Sequence, residues 1–481
     1  MVEAFGLPIV ETHISFVLLG GEFAYKIKKA VKLDFLDFTT LERRRFYCGE
    51  ELRLNQRLAP ALYLDVVPIT GSADQPVLEG TGTPIEYAVK MRQFDQDGLL
   101  SRVLKRGELT PERVDEIAAV VAAFHRRAAH AAADAPFGRT AGVMRPVREN
   151  IEQLLAGISD GEDRAPLEQL RAWTEGEAAR LAPAFERRNQ HGFVRECHGD
   201  LHLGNIALID GRVTLFDCIE FSPEMRWIDV MSDVAFLSMD LLDHGRPALA
   251  SRLLNAYLEA TGDYEGLAVL RFYIVYRALV RAKIAALTLA QTPGDRKLGR
   301  DSKLSDEYRT YLALATAETV PGHRGVFITH GVTGSGKTMR AREIVESAGA
   351  IRIRSDVERK RLAGLAAGAR TASPVEGGMY SADSSRATYE RLAALAGEIV
   401  SAGYAVVVDA AFLSRWQRDL LRETAAEHHV PFAIADCAAP ESVLRARVKR
   451  RLEEGRDASE ATIAVLEHQL ATAEPLAADE L

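Results

Sequence analysis

The chain opens on alternation. Residues 12–28 switch between apolar and polar positions with a period of two, interrupted at Gly20-Gly21, and this predicts a β-hairpin. Residues 39–59 change to helical spacing. A further strand pair follows, divided by the turn-rich Gly71–Gly82 stretch and ending in Ile85-Glu86-Tyr87-Ala88-Val89-Lys90-Met91. From about 110 to 190 Ala-rich faces recur at helical spacing, with breaks near Pro136-Phe137-Gly138 and Ser159–Arg164. Short strands around 206–209 and 213–217 flank the turn Asp210-Gly211, and helices then run to about residue 316. The pattern predicts a small β-rich lobe followed by a large α-rich one.

Beyond that point the pattern changes. Glu318–Gly325 is a polar joint carrying Pro321-Gly322, and Val326-Phe327-Ile328-Thr329-His330 reads as a short buried strand. Strands expected at 350–354, 404–409 and 431–436 alternate with helices. That alternation predicts a parallel sheet covered by helices on both faces. The expected division is therefore 1–317 and 324–481. No internal repeat relates the two parts.

Composition narrows the classes. A chain of 481 residues exceeds what one ordinary core fills, and 47% hydrophobic with 27% charged residues is globular usage. A net charge of −8 argues against general nucleic-acid binding. The cysteines Cys48, Cys197, Cys218 and Cys437 lie far apart, which excludes a disulfide framework and a standard zinc site. No apolar run reaches about 18 residues and the N-terminus lacks a basic-then-apolar leader, so the expectation is a cytoplasmic chain without a membrane partner.

Two stretches carry phosphate chemistry. Gly331-Val332-Thr333-Gly334-Ser335-Gly336-Lys337-Thr338 has the P-loop form. Its glycines, with Ser335, let backbone N–H groups wrap around a nucleotide's phosphates. Lys337 neutralises them and Thr338 ligates magnesium. Ile351-Arg352-Ile353-Arg354-Ser355-Asp356 ends a strand in a carboxylate, which makes Asp356 the candidate base toward an acceptor. Val406-Val407-Val408-Asp409 reads as a Walker-B strand, with Asp409 near the magnesium shell. Arg445, Arg447, Arg450 and Arg451 crowd one helix region before Gly455–Ser459. Of these, Arg447 and Arg451 are the candidates to close over the phosphates.

Well upstream, His198-Gly199-Asp200-Leu201-His202-Leu203-Gly204-Asn205 has the form of a kinase catalytic loop. Asp200 is the candidate base, and Asn205 with Asp217, at the end of Leu215-Phe216-Asp217, forms a candidate magnesium pair. Phe23-Ala24-Tyr25-Lys26-Ile27-Lys28 places two lysines on one face of a strand. Lys26 is the candidate phosphate lysine, with Lys28 in reserve. Glu51 is its expected partner, Glu50 lies beside it, and Met91 stands where an inter-lobe segment would take adenine.

His198–Asn205 followed by Asp217 resembles the aminoglycoside phosphotransferase family, over roughly residues 10–290. The resemblance implies a protein-kinase-like fold, catalysis at Asp200 and magnesium at Asn205 and Asp217. In Asp233-Val234-Ala235 it implies an Asp that braces the catalytic loop. No Gly-rich loop covers the phosphates, and Thr12, His13 and Ser15 stand in that place. Because the family includes kinases of choline, sugars and other alcohols, antibiotic resistance does not follow. Residues 325–475 resemble the small-molecule and polynucleotide kinases of the P-loop class, gluconate kinase and zeta-toxin-like proteins among them. The whole chain resembles a bacterial fusion of these two modules.

Together these readings predict an ATP- and Mg2+-dependent phosphotransferase with two nucleotide sites, acting on small-molecule hydroxyl acceptors. Two other readings stay open. One is a nucleotide-sensing regulator, in which the P-loop module controls the first. The other is 5′-hydroxyl phosphorylation of a polynucleotide by the second module, which the net acidity weakens and the arginine cluster leaves open.

Overall fold

The computed structural model describes residues 1–33, 36–132, 135–157, 164–291, 303–367, 369, 381–454 and 462–480. Its contacts group into two compact units: Met1–Asp240 with Phe272–Leu312, and Leu241–Arg271 with Ala313–Leu481.

The first unit begins with strands β1 Ile9–Glu11, β2 Ser15–Gly20, β3 Phe23–Lys28, β4 Lys32–Leu33 and β5 Leu36–Asp37, then helix α1 Leu41–Gln56. Strands β6 Tyr63–Gly71, β7 Pro76–Leu78 and β8 Glu86–Arg92 complete an antiparallel sheet of order β1-β2-β3-β8-β6-β7. The predicted hairpin is β2–β3, with Gly20 paired to Phe23, so its two-residue loop is Gly21-Glu22, one step beyond the expected Gly20-Gly21. Thr40 starts α1 by accepting the Arg43 N–H at 3.3 Å, which satisfies one of the orphan donors of a helix end. Strand periodicity divides the core. Ala88 packs with Leu18, Ile27, Val67 and Ile69 on one face, while its neighbour Val89 packs with Cys48, Ala59, Leu62 and Tyr63 on the other. Met91 lies inside β8, opposite Ala24 and Tyr63. The segment that leaves the sheet therefore begins at Gln93, not at Met91 as the sequence pattern had it.

Helices α2 Leu100–Lys105, α3 Pro111–Arg127, α4 Thr140–Gly157 and α5 Arg164–Gln190 follow. The Pro136-Phe137-Gly138 break separates α3 from α4 as expected. Next come β9 Val194–Glu196, the hairpin β10 Ile206–Ile209 and β11 Arg212–Leu215, α6 Pro223–Arg226 and β12 Trp227–Asp229, which pairs with β9. Asp210 and Gly211 both adopt positive φ, 50° and 74°, the conformation a tight two-residue hairpin requires. Helices α7 Val230–Asp243, α8 Pro247–Thr261, α9 Leu267–Gln291 and α10 Lys303–Glu318 run on from there.

The second unit is built on β13 Val326–His330, α11 Lys337–Ala348, β14 Ile351–Arg354, α12 Ser355–Leu362, α13 Ala382–Ser401, β15 Val406–Asp409, α14 Arg415–Glu427, β16 Phe432–Asp436, α15 Glu441–Glu454 and α16 Ile463–Thr472. Its sheet has the order β14-β15-β13-β16, and every pairing is parallel. Each residue of β15 is buried, as befits a strand covered on both faces. Strand β14 forms an edge, and α8 closes it. The Asn255 side chain donates to Ala350 O at 3.0 Å and accepts the Arg352 N–H at 2.6 Å, the two bonds a neighbouring strand would supply. Thus Leu241–Arg271 packs with residues that follow the Pro321-Gly322 joint.

Candidate active sites

In the first unit, β3 presents Lys26 to two carboxylates: its Nζ lies 2.7 Å from Glu51 and 2.5 Å from Asp217. Lys28 points to the same side, 2.7 Å from the second oxygen of Glu51, and it also pairs with Glu220. Glu51, fully buried on α1, is therefore shared between both lysines. Glu50 takes another direction, bonding Arg53 at 2.8 Å and Arg226 at 3.2 Å. Burial works to lower the Lys26 pKa, yet Asp217 and Glu51 outweigh it and hold the ammonium well above its ordinary value. Burial raises the Glu220 carboxyl, with Glu51 adding to that, although Lys28 opposes both.

The loop 198–205 is held from several sides. Asp233, fully buried on α7, accepts the amides of His198 at 2.8 Å and Gly199 at 2.9 Å, the bracing geometry implied by the resemblance. Asp240 accepts Leu203 N at 2.8 Å, and Arg277 donates to Gly199 O at 2.9 Å. Gly199 has φ +87°, and a Cβ there would meet Met225 O at 2.7 Å, so no other residue fits. Asn205 donates its side-chain amide to Asp200 at both the carbonyl and a carboxylate oxygen, each 2.9 Å away. Burial would raise the Asp200 pKa. His202, 3.4 Å away, together with His198 and Arg281, overrides this and leaves the carboxyl well below the usual range. Asp217 sits at φ 65°, its amide donating to the Tyr63 hydroxyl at 3.2 Å, while Asn55 accepts the next amide, Cys218, at 2.9 Å.

The structure thus brings Lys26, Lys28, Glu51 and Asp217 into one ionic cluster and joins Asp200 to Asn205. With the Asn205 nitrogen committed to Asp200, its amide oxygen is the atom left for a hard cation, the donor type magnesium takes. Thr12 and Ser15 form a closed turn between β1 and β2, Thr12 donating to Ser15 O at 3.1 Å and accepting its N–H at 2.9 Å, and His13 lies 3.3 Å from Thr288. Sequence reading assigned no role to Glu220, Asn55, Tyr63, His202 or Arg281. Asn55 was traceable, since it lies one helical turn from Glu51 on the same face.

In the second unit the P-loop follows β13. Gly331 has φ +137°, and a Cβ there would lie 2.3 Å from Cys437 O, which explains the glycine. Lys337 folds back on Val332 O at 2.8 Å and Thr338 occupies the first turn of α11. Two later helices grip the loop: Gln469 of α16 accepts Thr333 N at 2.7 Å, and Arg447 of α15 donates to Gly334 O at 3.0 Å. Arg445 instead pairs with Glu441 at 2.8 Å and Glu467 at 2.9 Å. Arg451 and Gly455–Ser459 lie outside the residues whose side chains are described.

Asp409 ends β15, and its Oδ2 is buried without a hydrogen-bond partner, as is Ser335 Oγ. Buried orphans of this kind each cost about 1–3 kcal/mol, so these two oxygens suit a bound cation or phosphate-bearing ligand. Arg354 Nε stands 3.9 Å from Asp409 Oδ2, while its Nη1 lies 3.1 Å from Glu259 of α8. Asp356 lies in the first turn of α12 at the end of β14, where a helix N-terminus favours negative charge. Arg354, Glu259 and Gln469 were not anticipated, because each acts across contacts distant in sequence.

A kinase-like two-lobed unit with an Asp200–Asn205 loop, and a parallel P-loop sheet, define a two-module kinase. Residues 48–273 match the model of the Phosphotransferase enzyme family, and residues 326–476 match that of an AAA domain. The chain is 30% identical over 462 residues to an "Uncharacterized protein" of Mycobacterium tuberculosis (strain ATCC 25618 / H37Rv), covering 96% of this chain and 89% of that one. It belongs to the family of that protein, a fusion of an aminoglycoside phosphotransferase-like domain with a P-loop kinase-like domain, and it is an enzyme of the kinase class. Among solved structures, it is similar to a choline/ethanolamine kinase family protein from Mesorhizobium loti, at 12% identity and TM-score 0.39, covering 65% of this chain and 87% of that one. It is also similar to a gluconokinase from Sinorhizobium meliloti 1021, at 26% identity and TM-score 0.23, covering 32% and 77%. Among the described residues, no helix is long and apolar enough to cross a membrane.

Proposed function

We propose that the first module transfers the γ-phosphoryl group of ATP to the hydroxyl of a small molecule. Asp200 takes the acceptor proton. Lys26, held by Glu51, neutralises nucleotide phosphate, and Asn205 and Asp217 hold magnesium. The metal, when bound, offsets charge on the transferring phosphoryl group. The observation that carries the reading is the Lys26–Glu51 ion pair, the pair a kinase needs in place before transfer, with the magnesium candidate Asp217 standing beside Lys26. The test is to incubate the full chain with γ-labelled ATP and a library of metabolites and aminoglycosides. Loss of at least one labelled alcohol phosphate in Asp200→Asn supports the reading, and full labelling of every product in that variant sinks it.

In the second module the same logic assigns phosphate binding to Gly331, Gly334, Ser335, Gly336 and Lys337, with Arg447 and Arg451 closing over it. Thr338 and Asp409 hold magnesium, and Asp356 serves as base toward a second hydroxyl. One contact favours the alternative, a nucleotide-sensing regulator: Glu259 of α8 holds Arg354, which stands beside Asp409. Nucleotide at Asp409 then bears on a helix that lies, in chain order, among the helices of the first module. Polynucleotide 5′-phosphorylation is the least favoured, since Arg445 is already paired with two glutamates. We place the sequence domains at 1–317 and 324–481 and the protein in the cytoplasm.

A further inference from the structure

In the first unit a cavity of about 500 Å³ opens between the start of α4, strand β12 and helix α9. That volume is typical of small-molecule pockets. Its wall is aromatic. Phe137 and Trp227 lie nearly parallel at 10°, their ring centres 6.1 Å apart, and Tyr273 and Tyr276 of α9 also line it. Two acidic groups on the wall are held in ion pairs. Asp229 accepts Arg188 at 2.6 and 2.8 Å, and Arg145 pairs with Glu224. Arg277 donates to Gly199 O at 2.9 Å and to Ser232 Oγ at 3.2 Å, and its guanidinium lies over the Phe236 and Tyr276 rings. A flat apolar ligand meets ring faces and leaves both ion pairs intact.

We propose that this cavity binds a flat, mostly apolar ring system, carried either by the acceptor alcohol or by a separate effector. Its occupant touches the catalytic loop through one side chain, because Arg277 lines the cavity and also holds the carbonyl of Gly199, the residue before Asp200. The inference does not depend on turnover at Asp200, since binding alone reports it.

The test is calorimetric titration of the full chain with 2-naphthol. Wild type should bind one equivalent saturably. Ala141→Trp, which fills the mouth from an exposed position on α4, and Tyr276→Ala, which removes a wall ring, should each weaken binding at least tenfold with an unfolding temperature close to that of wild type. Unchanged affinity in both variants, or no saturable binding in wild type, overturns the proposal. A second probe, 2-(2-naphthyl)ethanol with Mg-ATP, separates the two sources. Asp200-dependent phosphorylation of the bound alcohol assigns the cavity to the acceptor, and binding without phosphorylation assigns it to an effector.

Discussion

Lys26 Nζ lies 2.5 Å from Asp217 Oδ1, although 191 residues separate them along the chain. This ion pair ties strand β3 to the segment after β11, and Glu51 completes it from α1. Lys28, two residues on, ties Glu51 to Glu220 in full burial. The two lysines share a partner but should not share a role.

Exchanging them separately tests this. Lys26→Met should lower ATP-dependent turnover of the first module by about 100-fold while the chain stays folded, the scale for losing one donor to a charge-bearing group. Lys28→Met strands the buried Glu220 carboxylate, while Glu51 keeps Lys26, and should cost about 3–5 kcal/mol of stability. Denaturant unfolding and steady-state kinetics on both variants distinguish them. Equal effects on both measurements would mean that the assignment of roles is wrong.

The Asp200–His202 pair predicts a pH dependence. Burial lowers the His202 pKa, but Asp200 outweighs it and Asp240 adds to it, against Arg281, so the folded value lies above the ordinary 6.5. A raised folded pKa gives stability that is complete below the unfolded value and is lost as pH rises through the folded one. The stability advantage of wild type over His202→Gln should therefore shrink as pH climbs above 6.5. Urea unfolding of both chains across that range measures it. An advantage that grows with pH would reverse the assigned charge.

Lys337→Ala should weaken nucleotide binding at the P-loop and leave the first module's nucleotide affinity unchanged. Asp356→Asn should preserve nucleotide binding and stop transfer to the second acceptor, a loss of about 10²–10⁴ for a positioned base. Nucleotide titration and product analysis with each variant separate the two readings of the module. If Asp356→Asn changes no product while Lys337→Ala alters turnover at Asp200, the module is a regulator.

Asn255 stands in for a missing strand neighbour of β14. Asn255→Ala leaves Ala350 O and Arg352 N unpaired and should destabilise the second unit by about 1–3 kcal/mol. Hydrogen exchange should show the Arg352 amide losing protection before the β15 amides do. Retained protection at Arg352 would contradict the edge-closing role.

Local patterns carried much of this into the sequence. Alternation over 12–28 and the apolar runs at 326–330 and 406–409 declare their strands, because period and burial are local properties. The glycines of the P-loop and of His198-Gly199-Asp200 mark backbone that only glycine adopts. Partners distant in the chain left no such trace. Glu220 looks like any surface glutamate until β3 places Lys28 over it, and Glu259 gains meaning only when α8 lies along β14. Met91 was misplaced for a related reason: its position in the ladder depends on how far β8 extends, which side-chain pattern does not set.

The central claim is that Asp200 performs phosphoryl transfer to a small-molecule hydroxyl in a site assembled by Lys26, Glu51, Asn205 and Asp217. The most direct measurement follows γ-labelled phosphate from ATP into a metabolite library with full-length wild type, Asp200→Asn and Asp356→Asn side by side, and nucleotide affinity recorded for each. The account predicts at least one labelled alcohol phosphate that vanishes in Asp200→Asn, persists in Asp356→Asn, and is lost with ATP affinity changed by no more than a few-fold. Full labelling of every product in Asp200→Asn would contradict it.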